Sequence, residues 1–282
     1  VRSASVVQSG KRREEKRYMK KEIELNPDSE QRRRIMDFVM AAGETLLKNG
    51  AEVFRVEQTM KIMANSFHLR EFDVYVLTNG IFASAGTAEI SEVRNVPVRT
   101  IHLGRVAGVN ELSRQVASGK LTLDEAELEL ARVQRLPFPS WELQVLASAM
   151  GAFCFAVMFG GNLRSAFVAA GAGLLTNGYL LVCGRYNVPA MFQKITGAAM
   201  ITLLSLVGCS FLGGDASHAT IGALMLLTPG VAFTTSIRDF VNGDYLSGTI
   251  RLIDAMLVAG CLACGTGFVL SAWSAITGVT ML

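Results

Sequence analysis

The sequence predicts an α-helical membrane protein in which five transmembrane helices follow a small cytoplasmic α+β domain. Two observations carry this. The charge is partitioned: of 27 Lys and Arg, 22 fall in residues 1–141, and the 24 acidic residues divide as 19 and five about the same point. The second half also holds five apolar segments, at 143–160, 165–183, 195–212, 219–237 and 252–273. Each is near the ~20 residues that cross a bilayer as a helix, and none shows the polar face at period 3.6 that a soluble helix needs. The expected organisation is a basic tail at 1–27, an α+β domain at 28–141 and a membrane domain at 142–282.

Residues 11–21 are basic but interleaved with Glu14, Glu15 and Glu22, which suits a solvated tail or helix. Pro27-Asp28-Ser29 then starts a helix, with Asp28 or Ser29 as cap. Ile35, Phe38, Val39, Ala42 and Leu46 keep one apolar face until Asn49-Gly50 ends it. A second helix over 51–67 puts Val53, Val56, Met60 and Met63 on one side. Residues 72–85 are aromatic and β-branched and form two strands or one bent strand around Thr78-Asn79-Gly80. A further strand is expected at 98–103, with 89–97 as its connection. Two helices follow, at 105–117 and 122–135; the second opens with a capping box, Thr122 and Glu125. Pro137 and Pro139 stop it.

The basic residues orient the spans. With the N-terminal domain inside, the inner loops hold Arg185, Lys194, Arg238 and Arg251, and the outer loops only Arg164, in line with the positive-inside rule. No secretory signal precedes the charged half, so it is expected to stay in the cytoplasm and the C-terminus to lie outside. Gly171-Ala-Gly173 and Gly197-Ala-Ala suit close helix packing. The small net charge of +3 argues against a nucleic-acid partner. Five cysteines scattered over apolar segments do not form a disulfide framework, and Cys261-Leu-Ala-Cys264 lacks the context of a redox motif. His68, His102 and His218 have no metal-ligand spacing, so neither a metal nor a cofactor is expected.

The stretch that departs most from a plain membrane anchor is 224–255, LMLLTPGVAFTTSIRDFVNGDYLSGTIRLIDA. Pro229 removes a backbone donor and crowds the carbonyl of Met225. With Thr228, Gly230, Thr234, Thr235 and Ser236 it makes either a packed kink or an unwound, polar segment lining a path. Arg238, Asp239 and Asp244 follow as either a solvated loop or part of that path. Arg251 and Asp254 are three apart at the start of the fifth segment, and so can pair. Charges at membrane depth are costly and mark functional sites by default. In the soluble part, GAEVFRVEQTM is the most distinctive string, with Glu52, Arg55 and Glu57; Glu52 and Arg55 have the spacing of a surface ion pair. No nucleophile elbow, P-loop or dinucleotide fingerprint is present.

These two strings, GAEVFRVEQTM and LTPGVAFTTSIRDFVNGDYLSGTIRLIDA, resemble the threonine/serine exporter family. The resemblance runs from about Arg32 onward, and its second motif is specific: L-x-P-G, R-D, G-D, S-G and R, in that order. It implies secondary transport of threonine and serine or, in a two-component branch, of succinate. Fused members of the family carry two five-span halves; this chain has one half and resembles the larger component of the split form. The implied partners are a small carboxylate-bearing substrate, the lipid bilayer, and a second membrane subunit of four or five spans or a further copy of the chain. The implied location is the bacterial inner membrane. Arg238 and Arg251 would meet the substrate carboxylate; Asp239, Asp244 and Asp254 would handle protons or a substrate ammonium; Thr228 and Pro229 would line the path. The rival readings are an accessory membrane subunit without its own path, and a membrane-anchored enzyme using Thr78, His102 or Glu52.

Overall fold

The computed structural model describes residues 27–86, 90–96 and 100–278, with side chains from Glu30 onward. The basic tail and the side chains of Asp28 and Ser29 lie outside the described residues. The chain divides into two compact units, one ending at Leu136 and the other beginning at Pro137.

In the N-terminal unit, α1 (Pro27–Lys48) buries Met36, Val39, Met40, Leu46 and Leu47. Apolar side chains three and four apart share one face of a helix, which is why this stripe forms a core. The helix ends where the Ala51 N–H reaches back to the Leu46 carbonyl at 3.1 Å, closing a terminal carbonyl that would otherwise be orphaned. α2 (Val53–Ser66) buries Val53, Val56, Met60 and Met63. Strands β1 (Asp73–Leu77), β2 (Gly80–Ala85) and β3 (Ile90–Asn95) form an antiparallel sheet in that order, with Thr78-Asn79 as the first turn. Ile81, Ala83 and Ala85 alternate onto the core side.

The third strand differs from expectation. It occupies 90–95, where the sequence suggested a connection, and no strand forms over the described part of 98–103. The Thr100 N–H donates to the Lys48 carbonyl (2.8 Å) and the His102 N–H to that of Asn49 (3.2 Å). That segment is therefore tied to the α1–α2 turn instead of the sheet. The partly buried face of β3 carries Glu92 and Arg94 while Val93 points out, which inverts the usual alternation. Arg94 reaches Asp37 (3.2 Å) and Glu44 (3.5 Å) on α1, and Glu92 (3.3 Å).

Two capped helices complete the unit. His102 Nδ1 accepts from the Arg105 N–H at the start of α3 (Leu103–Ala117). α4 (Leu123–Gln134) opens with the capping box: Glu125 accepts from the Thr122 N–H at 2.8 Å, and Thr122 Oγ1 from the Glu125 N–H at 3.4 Å. The bond from the Thr122 N–H holds the Glu125 carboxyl below its ordinary range.

Among the described residues of the second unit, four helices are long and apolar enough to cross a membrane: α5 (Trp141–Met158), α6 (Leu163–Arg185), α7 (Ala190–Leu212) and α10 (Tyr245–Thr277). The segment expected as the fourth span is instead two short helices, α8 (Ala216–Leu224) and α9 (Gly230–Val241). α8 packs among α5, α6 and α7, and α9 packs on α10. Two glycines set the closeness. A Cβ on Gly222 would lie 2.6 Å from the Ala156 backbone nitrogen, and one on Gly265 would run into the Ile195 carbonyl oxygen. Without a hydrophobic drive between helices in lipid, such backbone approach is what gives membrane bundles their packing contacts.

Candidate functional site

The site begins at the break between α8 and α9. Pro229 has no N–H and cannot carry the helix through. The Leu224 carbonyl collects donors from the Leu227 N–H (2.9 Å), the Thr228 N–H (3.1 Å) and Thr228 Oγ1 (3.1 Å). The Gly230 N–H turns back onto the Thr228 carbonyl at 2.9 Å. These bonds tie off the Leu224 and Thr228 carbonyls within the break itself.

α9 then leads into a hairpin with α10. Gly243 takes φ +88°, and the Asp244 N–H closes the reversal on the Asp239 carbonyl at 2.9 Å. Gly248 sits against the Phe240 ring, where a Cβ would come within 2.9 Å of Cδ1. This brings the buried faces of both helices together. Asp239 on α9 is fully buried, and its Oδ2 lies 3.1 Å from Nε of Arg251 on α10, whose side chain is only 10% exposed. Arg251 Nη1 also donates to Thr235 Oγ1 at 3.4 Å, and Thr235 in turn donates to the Val231 carbonyl at 2.8 Å.

Of the residues singled out in the sequence, Asp239 and Arg251 come together. The expected Arg251–Asp254 pair does not form. Arg251 lies on the buried face of α10 with Ser247, Gly248 and Ala255, while Asp254 is exposed. Arg238 is exposed on the last turn of α9, and Asp244 is half-buried at the start of α10. Thr228 and Pro229 are not part of the pair's cluster; ten residues from Pro229 to Asp239 span ~15 Å of helix. Thr235 was named only as one member of a polar stripe. Its spacing of four from Asp239 carried the signal, since residues four apart share a helix face.

The soluble motif has structural duties. Glu57 Oε1 accepts from the Val76 N–H at 2.8 Å, occupying a donor of the edge strand β1. Arg55 donates to Gln58 at 3.4 Å and not to Glu52, which stands at the N-cap of α2. Thr78 is buried in the β1–β2 turn and His102 caps α3. Among the described residues no group of three or more His, Cys, Asp or Glu could hold a metal ion.

The chain thus combines a multi-pass membrane fold, an interrupted helix and a buried arginine–carboxylate pair. The family described as "Putative threonine/serine exporter" matches residues 37–273, and the chain belongs to it. It is similar to a "Probable threonine/serine exporter" of Mycobacterium tuberculosis, 24% identical over 238 residues, covering 83% of this chain and 45% of the relative. It is also similar to "Pheromone-regulated membrane protein 10" of Debaryomyces hansenii, 22% identical over 246 residues, covering 83% of this chain and 24% of the relative. The chain therefore spans less than half the length of these curated relatives. No solved structure matches it significantly.

Proposed function

We propose that the chain is a subunit of a secondary active exporter for a small carboxylate-bearing metabolite, a threonine/serine-like amino acid or a short dicarboxylate such as succinate, driven by the proton-motive force. The observation that carries the reading is the buried Arg251–Asp239 pair, in a family described by threonine/serine export. A guanidinium offers a carboxylate a fork of donors. A substrate carboxylate reaching Arg251 would displace Asp239, and a buried carboxylate without its cation takes up a proton. Substrate binding and proton binding are thereby linked. Arg238 and Asp244 would guide substrate toward the pair, and the break at Thr228-Pro229 would let α9 move against α8.

In this reading α8 and α9 together form a discontinuous fourth span, the kind of element around which transporters build midplane sites, with α10 as the fifth. The N-terminal unit faces the cytoplasm and the C-terminus lies outside, in a bacterial inner membrane, because Arg185, Lys194, Arg238 and Arg251 then share the inner side. A second membrane subunit of four or five spans, or another copy of the chain, completes the path. One observation supports this: α10 exposes Ile253, Asp254, Met256 and Leu257. An exposed carboxylate beside apolar surface is costly in lipid unless a partner covers it. The test is substrate efflux from vesicles holding the chain with and without such a partner. Efflux that requires both and vanishes in Arg251→Gln is expected; no substrate-dependent efflux in any combination would contradict the reading.

A further inference from the structure

A groove of about 720 Å3 runs between α5 and α6, away from the Arg251–Asp239 pair. Its walls are apolar, with Val145, Leu174 and Leu181 among them. Its floor opens at Gly178, where a Cβ would meet no atom within 4 Å. Its mouth carries one cation, Arg185, and the indole of Trp141, both exposed. Among the described residues neither side chain has an intramolecular hydrogen bond or ion pair. The groove is thus an apolar slot with positive charge and unused donors at one end only.

Its length selects the occupant. From Leu174 to Arg185 is eleven residues, ~16 Å of helix, or about half of a ~30 Å hydrocarbon core. α6 itself has 23 residues, so the slot stops near the middle of the helix. A transmembrane helix of a partner would run along the whole of α6. A lipid chain belongs to one leaflet and ends at the midplane. The mouth matches as well: tryptophan rings settle at headgroup level, and basic pockets between membrane helices suit anionic heads. We infer that this groove binds one acyl chain of an anionic phospholipid, with the phosphate held by Arg185 and the indole N–H of Trp141. The inference needs α5 and α6 to sit in a bilayer and is independent of what the protein transports.

The chain has two tryptophans, so Trp273→Phe leaves Trp141 as the sole reporter. That full-length variant is reconstituted in phosphatidylcholine vesicles with increasing amounts of chain-brominated phosphatidylglycerol or chain-brominated phosphatidylcholine. Quenching of Trp141 fluorescence gives the relative association of the two lipids. The anionic lipid is expected to win by roughly fivefold, the equivalent of ~1 kcal/mol for one basic side chain. Arg185→Gln should bring the ratio to about one, while Arg164→Gln, on a different turn of the bundle, should leave it unchanged. Gly178→Leu, whose Cβ meets no atom within 4 Å, should weaken quenching by both lipids. Equal quenching by the two lipids in the parent would overturn the proposal. So would loss of the preference on adding inorganic phosphate, which would make Arg185 a site for free anions. A third contrary result is Gly178→Leu splitting a larger protein complex while quenching stays the same, which would assign the groove to a partner helix.

Discussion

Arg94 and Arg251 each face carboxylates from another element, and their surroundings give the two contacts opposite weight. Arg94, 27% exposed, shares its charge among Asp37, Glu44 and Glu92 at the rim of the N-terminal unit. Water screens that network, and its long side chains must be ordered to make it. Arg251 faces Asp239, a carboxylate at zero exposure. Removing one partner there leaves an uncompensated charge in a medium that cannot solvate it. Burial, more than the presence of an ion pair, sets what the pair is worth. The rim network can be trimmed; the hairpin pair cannot.

The largest effect should come from Asp239→Ala. Breaking a buried pair costs ~3–5 kcal/mol, a large share of a marginal stability, so membrane abundance should fall sharply. Arg94→Gln should cost less than ~1 kcal/mol and leave abundance near wild type. Equal losses in the two variants would erase the comparison. Next in size is Gly265→Leu. Its Cβ would press on the Ile195 backbone, and overpacking of this kind costs ~1–3 kcal/mol; the check is thermal stability of the purified protein. Thr122→Ala comes third, at ~1 kcal/mol for a lost helix cap, read as a lower unfolding midpoint of the N-terminal unit. Such a loss would show that polar contacts in this unit count where they tie off backbone.

The smallest effect concerns pH. Burial, with Asp37 nearby, pushes the Glu92 carboxyl above its ordinary range. A raised folded-state value favours the protonated form, so Glu92's contribution is present below the unfolded value and lost as pH rises through the folded one. Glu92→Gln should therefore flatten the decline in stability on that rise. An unchanged pH profile would mean that Arg94 already offsets the burial.

Much of this was legible in the sequence. The apolar stripes of α1 and α2, the capping box of α4 and the four continuous spans follow from periodicity, cap chemistry and length. β3 was hidden because its core-facing side carries Glu92 and Arg94, whose contacts lie on α1, about fifty residues away in sequence. The break at Pro229 was visible as a conflict between apolar character and missing backbone donors. The partner of Arg251 was not, because spacing reports only neighbours on the same helix. Asp254 is such a neighbour; Asp239 becomes one only when Gly243 folds α9 back on α10. Thr235 sits one turn from Asp239 and could have been read from that spacing.

The central claim is that the Arg251–Asp239 pair works in transport and does more than hold the hairpin. Exchanging the two charges, Asp239→Arg with Arg251→Asp, tests it most directly, because the swap keeps an ion pair in place and moves the cation from α10 to α9. The measurement is export rate per molecule in the membrane. The account predicts that the double variant regains abundance relative to either single variant but does not export. Export at the wild-type rate per molecule in the swapped protein would contradict it and leave the pair a purely structural contact.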